Sequence, residues 1–324
     1  MTIDYLPSWN DGTTKQALVD FLASAREVPV AERVAVLDND GTLWCEKPNY
    51  PQLEFLLGEL TRAVGVDPSL ARREEYRALI EGDTAAQSEL GLERIAVALV
   101  ELCAGISPEE FDAGVRAFFA AARHRDRGVP FSELRYQPML ELLDELRRAE
   151  FDVFIVTGGG TEFVRAVSHE FYGVPPERVV GTRASYDFVR DADGRAGLLR
   201  NSDLIAADAN EGAAKVINIQ RELGRRPIFA AGNSPGDAEM LDYAMAATGP
   251  TLALLVDHDA AEREYAYEGV AATLESSGSV LDAAGAQGWT VAGMRNDWAS
   301  VYATGQGYRG VSARTGRAET HRFG

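Results

Sequence analysis

An α/β fold with a doubly wound parallel sheet is the architecture this sequence predicts, with an all-helical segment inserted into it. Short apolar runs recur along the chain, helix-period segments fall between them, and residues 50–130 interrupt that alternation with helices alone. The first run, VAVL at 34–37, is apolar throughout and suits a strand buried on both faces. Helical patterns follow at 51–64, 69–80, 88–103 and 108–123. SPEEF at 107–111 reads as a helix start, with Ser107 as N-cap and Pro108 at the first helical position. This stretch reads as a cap, residues 49–130, set into a core made of 1–48 and 131–302. The competing reading makes the same segments core helices of one domain. Alternation then resumes: PMLELLDELRRA (138–149), VFIV (153–156), TEFVRAVSHEFY (161–172), VVGT (179–182), EGAAKVINIQREL (211–223), IFAA (228–231) and LALLV (252–256). Residues 303–324, Gly-rich and locally basic, read as a flexible tail.

Composition narrows the function classes. Of 324 residues, 50 are acidic and 32 basic, a net charge of −18, which argues against the clustered Lys and Arg of a nucleic-acid footprint. An anionic substrate would therefore have to be drawn in by a local positive site. Cys45 and Cys103 are far apart and lack metal-ligand spacing, as expected of reduced thiols. The N-terminus lacks the basic start and apolar block of a signal peptide, and no apolar run approaches the roughly 20 residues of a membrane helix. The expectation is a cytoplasmic protein acting on a small molecule, with neither nucleic acid nor membrane as partner. Oligomeric state is open.

Chemistry concentrates at the ends of the apolar runs, where ligands of doubly wound sheets bind. VAVL runs straight into Asp38, Asn39, Asp40, Gly41 and Thr42. Taken alone DNDGT is also an ordinary Asx-rich turn, but two carboxylates after a buried strand are costly to place. VFIV ends in Thr157 and three glycines before a helix, an arrangement suited to cradling an oxyanion; a plain tight turn is the alternative. A dinucleotide loop fails there, because Phe163 stands where a small residue is required. Lys215, near a helix start, opposes the helix dipole unless it has another partner. IFAA ends in GNSPGD, residues 232–237, in which Asp237 is either a helix-end carboxylate or part of a site. Together the four bring Asp38, Asp40, Asn233 and Asp237 to one rim, with Lys215 and the Thr157 loop opposite. Such an oxygen-rich rim suits Mg²⁺.

This set resembles the haloacid dehalogenase-like hydrolase superfamily, in particular its phosphoserine-phosphatase-like branch, whose Rossmann-like core carries a helical cap. DNDGT is similar to the first motif of that family, TGGG to the second, EGAAK to the third and GNSPGD to the fourth. The resemblance implies a phosphatase that hydrolyses a small phosphate monoester through an aspartyl-phosphate. Asp38 would be the nucleophile and Asp40 the acid–base partner. Thr157, Gly158 and Lys215 would bind the phosphoryl group. Mg²⁺ would be held by Asp38, Asp40 and the fourth motif, Asn233 and Asp237. That motif departs from the branch, which begins it Gly-Asp where this chain has Gly232-Asn233. The missing charge raises a second reading, a catalytically weak phosphate-binding or regulatory protein. A dehalogenase is a third, disfavoured because halide displacement needs no proton donor at Asp40; a phosphotransferase is a fourth. Specificity is expected from the loop after the first motif, through Trp44, Glu46, Lys47 and Tyr50, although solvated charges and cap–core packing account for the first three equally well.

Overall fold

The computed structural model describes residues 6–202, 209–271 and 278–303. Helix α1 (Thr13–Ser24) precedes β1 (Val34–Leu37). Helices α2 (Pro51–Val66), α3 (Glu74–Glu81), α4 (Thr84–Leu90), α5 (Leu92–Glu101) and α6 (Pro108–Ala121) follow without a strand. The chain continues through α7 (Gln137–Arg148), β2 (Asp152–Gly160), α8 (Thr161–Tyr172) and β3 (Val179–Thr182). Next come β4 (Tyr186–Arg190), β5 (Ala196–Arg200), α9 (Ala213–Leu223), β6 (Phe229–Gly232) and α10 (Ala238–Met245). The last elements are β7 (Leu252–Asp259), β8 (Ala266–Tyr267), α11 (Val280–Gln287), β9 (Thr290–Gly293) and α12 (Met294–Asp297).

The doubly wound sheet expected from sequence is present. Strands lie in the order β3-β2-β1-β6-β7, with β9 parallel to β7 on its far side and the short β8 antiparallel to it. Because a strand's side chains alternate faces, the apolar runs split between two cores. Ala35, Leu37, Val153, Ile155, Phe229 and Ala231 face one cluster, completed by α1, α7 and α8. Val34, Val36, Val156, Val180, Ala230 and Leu255 face the other, covered by α9 and α10. The chain runs from β1 outward through β2 and β3 and then returns to pair β6 on the opposite side of β1. The strand order therefore reverses at the carboxyl ends of β1 and β6, which opens the crevice that holds ligands in such sheets.

Between residues 51 and 121 the ordered elements are helical, and the Ser107 cap forms as expected, its hydroxyl accepting from Glu110 N at 3.1 Å. Two details differ. The segment expected as one helix over 88–103 is broken at Gly91, whose φ of 82° places it outside the helical region. A β4–β5 hairpin, antiparallel and mostly exposed, stands where no strand was expected; no buried face imposes an alternation on its residues. The hairpin reaches the helical insert: Arg200 N donates to Ile106 O at 2.8 Å, and its guanidinium lies 3.9 Å from the Phe111 ring centroid. The inner faces of α2 and α6, through Phe55, Phe111, Val115 and Phe119, merge with the main core, whereas Leu60, Tyr76 and Ala98 form a small cluster of their own. The expected tail falls, apart from Ala303, outside the described residues.

Candidate active site

Asp38 follows β1 directly and its N–H still donates to Ala231 O of β6 at 2.9 Å, so the sheet fixes its backbone. The chain then turns sharply: Asn39 O accepts from Leu43 N at 2.8 Å and from Thr42 N at 3.2 Å. Gly41 lies in that turn at φ 75°, and a Cβ there would come within 2.1 Å of Asn233 Nδ2. Glycine is required twice over, by the left-handed backbone and by the close approach of the β6 loop. Trp44, one turn on, donates its indole N–H to Asp40 Oδ1 at 2.8 Å. Burial raises the Asp40 carboxyl to about 6, against the pull of that hydrogen bond and aided by the charge of Glu46.

Lys215 enters from the first turn of α9. Its ammonium donates to Asp38 Oδ1 and to Asp237 Oδ1, both at 2.6 Å, and all three side chains are buried. Burial opposes its charge, yet the two carboxylates outweigh that and hold Lys215 above the ordinary lysine range. Burial, and then the Asp237 charge, pushes Asp38 well above the usual carboxylate range even though Lys215 pulls it down. The second oxygen of Asp237 accepts from Asn233 N at 3.0 Å, Ser234 N at 3.1 Å and Ser234 Oγ at 3.2 Å. Gly232 is needed beneath it, since a Cβ there would lie 2.4 Å from Asp237 Cβ. Asn233 Oδ1 accepts from Thr42 Oγ1 at 3.2 Å, and Asn233 Nδ2 donates to Glu46 Oε1 at 3.2 Å.

The Thr157 loop closes the opposite side. Thr157 Oγ1 is fully buried and accepts from Gly159 N at 3.0 Å, while Gly158, Gly159 and Gly160 line the opening. Gly160 N donates to Gln52 Oε1 of α2 at 2.7 Å, tying the loop to the helical insert. Asp38, Asp40, Glu46, Tyr50, Lys215 and Asn233 share with these glycines a cavity of about 730 Å³ that runs up between the sheet edge and the helices.

The sequence matches the model of the haloacid dehalogenase-like hydrolases over residues 35–242, from β1 into α10. The chain belongs to that family. Among solved structures, a conserved, functionally unknown protein from Anaerococcus prevotii aligns at 15% identity with a TM-score of 0.52, over 81% of this chain and 93% of that one. This likeness shows a shared fold. A protein of unknown function from Bordetella pertussis aligns at 18% identity with a TM-score of 0.49, over 80% of this chain and 97% of that one. A phosphoserine phosphohydrolase-like protein from Francisella tularensis aligns at 15% identity with a TM-score of 0.36, over 78% of this chain and 99% of that one. Among curated proteins, none matches this chain.

Within this hydrolase, the residues expected at the site do not all meet the cavity. Asp38, Asp40, Gly158, Lys215 and Asn233 line it, and so do Glu46 and Tyr50. Asp237 does not; Lys215 donates to one of its oxygens and the Asn233–Ser234 segment to the other, so it braces Lys215 and the Asn233 loop. Trp44 is 1% exposed and packs among Phe119, Phe163, Phe171 and Tyr172. Its side chain reaches the site through the hydrogen bond to Asp40, and its carbonyl accepts from Gly41 N at 2.9 Å. Lys47 is turned away, its ammonium 4.4 Å from the Tyr267 ring centroid. Three further groups were invisible in sequence: Gln52 on the glycine loop, Asn210 holding Thr157 O at 2.9 Å, and His258. The His258 ring bridges Gly41 O at 2.8 Å and Glu264 Oε2 at 3.1 Å, pinning the first motif from behind. Each is a common polar residue outside any motif spacing.

The donor set fits a hard cation. Three carboxyls, the buried Asp38 and Glu46 and the half-buried Asp40, line one cavity beside a single lysine, and desolvation raises all three. Among the described residues no group of three His, Cys, Asp or Glu side chains forms a metal cluster by itself. A magnesium ion here would need main-chain and amide oxygens to complete its shell, which is ordinary for that ion. No helix among the described residues is long and apolar enough to cross a membrane.

Proposed function

We propose that this hydrolase is a magnesium-dependent phosphatase acting on a small phosphate monoester through an aspartyl-phosphate. The observation that carries the reading is Asp40: a carboxyl two residues from the candidate nucleophile, oriented by the Trp44 indole and raised by burial to about 6. A group so tuned suits proton donation and return near neutral pH. A dehalogenase has no use for it.

The Asp38 carboxylate attacks phosphorus and the bond from phosphorus to the ester oxygen breaks. The Asp40 proton passes to that leaving oxygen, which departs as the alcohol. Asp40, now ionised, takes a proton from a water that attacks the phosphorus of the acyl phosphate. Phosphate leaves and the Asp38 carboxylate is restored. Lys215, paired with Asp38 at 2.6 Å, would neutralise the phosphoryl oxygens, and the Gly158 N–H at the cavity wall would meet them from the other side. Bound Mg²⁺ supplies further neutralisation; Asp38, the Asp40 main-chain carbonyl and Asn233 Oδ1 would hold it. Glu46, hydrogen-bonded to Asn233, supplies the negative charge that an asparagine lacks.

Hydrolysis of p-nitrophenyl phosphate with Mg²⁺ tests the reading, and EDTA should abolish it. Asp38→Asn should lower kcat by at least about 10³-fold, the scale on which removal of a covalent nucleophile is felt. Turnover that survives the substitution would exclude the covalent route. Phosphate binding without turnover in the wild type would favour the regulatory protein that Asn233 suggests.

A further inference from the structure

We infer that the ester hydrolysed at this site carries a large apolar alcohol, an alkyl or aryl group, and is not the phosphate of a sugar, polyol or amino acid. The inference rests on the phosphatase reading for the phosphate end and on the cavity walls for the rest. Polar and charged side chains gather at the sheet edge, around Asp38, Asp40 and Lys215. Away from it the walls come from four helices of the insert and from α8, through Leu56, Leu79, Ile95, Leu99, Phe111 and Phe163.

The charged and amide groups that reach that upper part have protein partners, while Arg200 Nε and Glu162 Oε1 stay buried without a hydrogen bond. Arg200 is ion-paired with Glu162 and lies on the Phe111 ring. The Gln87 amide donates to Ala78 O at 2.9 Å. A sugar has several hydroxyls, and each one buried against such walls would lose its water without gaining a partner, which is costly. An alkyl chain or aromatic ring gains from the same walls. At about 730 Å³ the cavity lies within the range that encloses drug-sized ligands, far more than phosphate alone requires. Merging of Phe55, Phe111 and Phe119 with the main core holds this apolar roof over the catalytic edge.

A homologous series of n-alkyl phosphates, ethyl to decyl and below their micelle concentrations, measures the effect beside glucose 6-phosphate and phosphoserine. In the wild type kcat/KM should rise by up to about fourfold per added methylene until the cavity is filled, as transfer of a methylene from water predicts. The two polar esters should fall below butyl phosphate. Ala96 lines the cavity on α5, and Ala96→Phe should move the optimum to shorter chains. Calorimetric binding of octyl and ethyl phosphate to Asp38→Asn gives a readout that does not require turnover, and octyl phosphate should bind at least tenfold tighter. A flat series, or a preference for glucose 6-phosphate or phosphoserine, would overturn the apolar assignment while leaving the phosphatase intact. Absence of turnover on every ester, with octyl phosphate still bound more tightly than ethyl phosphate, would overturn the phosphatase reading and keep the apolar site.

Discussion

Asn233 and Glu46 together account for how a fourth motif that begins Gly-Asn sits in this site. The amide at 233 is fixed by its partners, with Nδ2 on Glu46 and Oδ1 on Thr42. The charge is thus moved, one residue away in space and 187 in sequence, which no motif comparison reports. Glu46→Gln should weaken Mg²⁺ binding about tenfold or more by calorimetry, and adding Asn233→Asp should recover most of that loss. Asn233→Asp alone crowds a further carboxylate against Glu46 and should destabilise the metal-free protein. Asp40 makes a second prediction at this scale. Its folded-state pKa, about 6, lies above the ordinary 3.8, so its contribution to stability is complete below about pH 4 and is lost as pH rises through 6. Asp40→Asn should therefore stabilise the EDTA-treated protein at pH 8 relative to pH 4, by up to about 3 kcal/mol in urea unfolding. The same substitution should remove turnover, as expected where a catalytic group is kept at the expense of stability.

Elements were legible in sequence wherever burial was two-sided or periodicity was long. The runs VAVL, VVGT and IFAA fall on β1, β3 and β6 within one residue, and TEFVRAVSHEFY is α8, because strands buried on both faces and one-sided helices leave strong signatures. The β4–β5 hairpin left none, since its residues are mostly exposed and nothing enforces alternation. Site residues were legible where they abut a strand end, as Asp38, Asp40 and Asn233 do. Gln52 and His258 were not, because the contacts that give them meaning are made between distant elements. Trp44 shows how an element acts through packing. Its ring is clamped between the helical insert and α8, 5.5 Å from Phe119 and 6.1 Å from Tyr172, so its N–H can hold Asp40 in one rotamer. Trp44→Phe keeps the aromatic contacts and deletes that bond. It should lower kcat about tenfold with KM little changed, consistent with a lost hydrogen bond to a charged group of about 1.5 kcal/mol. Trp44→His, which restores an N–H donor on a smaller ring, should recover part of the rate.

At the scale of the whole molecule, the stretch matched to the family ends near α10, and the remaining residues close the fold. Strand β9 extends the sheet beside β7, and α1 packs against it. The N-terminal segment and the segment after β9 then meet over α7. Asn10 N donates to Asp297 O and Ala299 N to Ser8 O, both at 2.8 Å, and Trp9 Nε1 donates to Pro138 O at 2.9 Å. At their junction the Trp298 ring is fully buried, edge-on to Trp9 at 5.9 Å and 5.3 Å from Tyr136. Truncating it removes a large apolar volume where three segments converge and none can relax without releasing the others. Trp298→Ala should cost about 3–5 kcal/mol of unfolding free energy, the range for buried aromatic-to-alanine changes. Trp298→Phe should cost much less, because it keeps most of the ring. Tyr136 links this junction to the site: its hydroxyl donates to Glu264 at 2.9 Å, and Glu264 holds His258 against Gly41 O. Measured on the folded fraction, kcat should stay within about threefold of wild type in Trp298→Phe and fall further in Trp298→Ala, where Tyr136 loses its neighbour. A full stability loss in Trp298→Ala with kcat unchanged would show that the junction supports the fold alone.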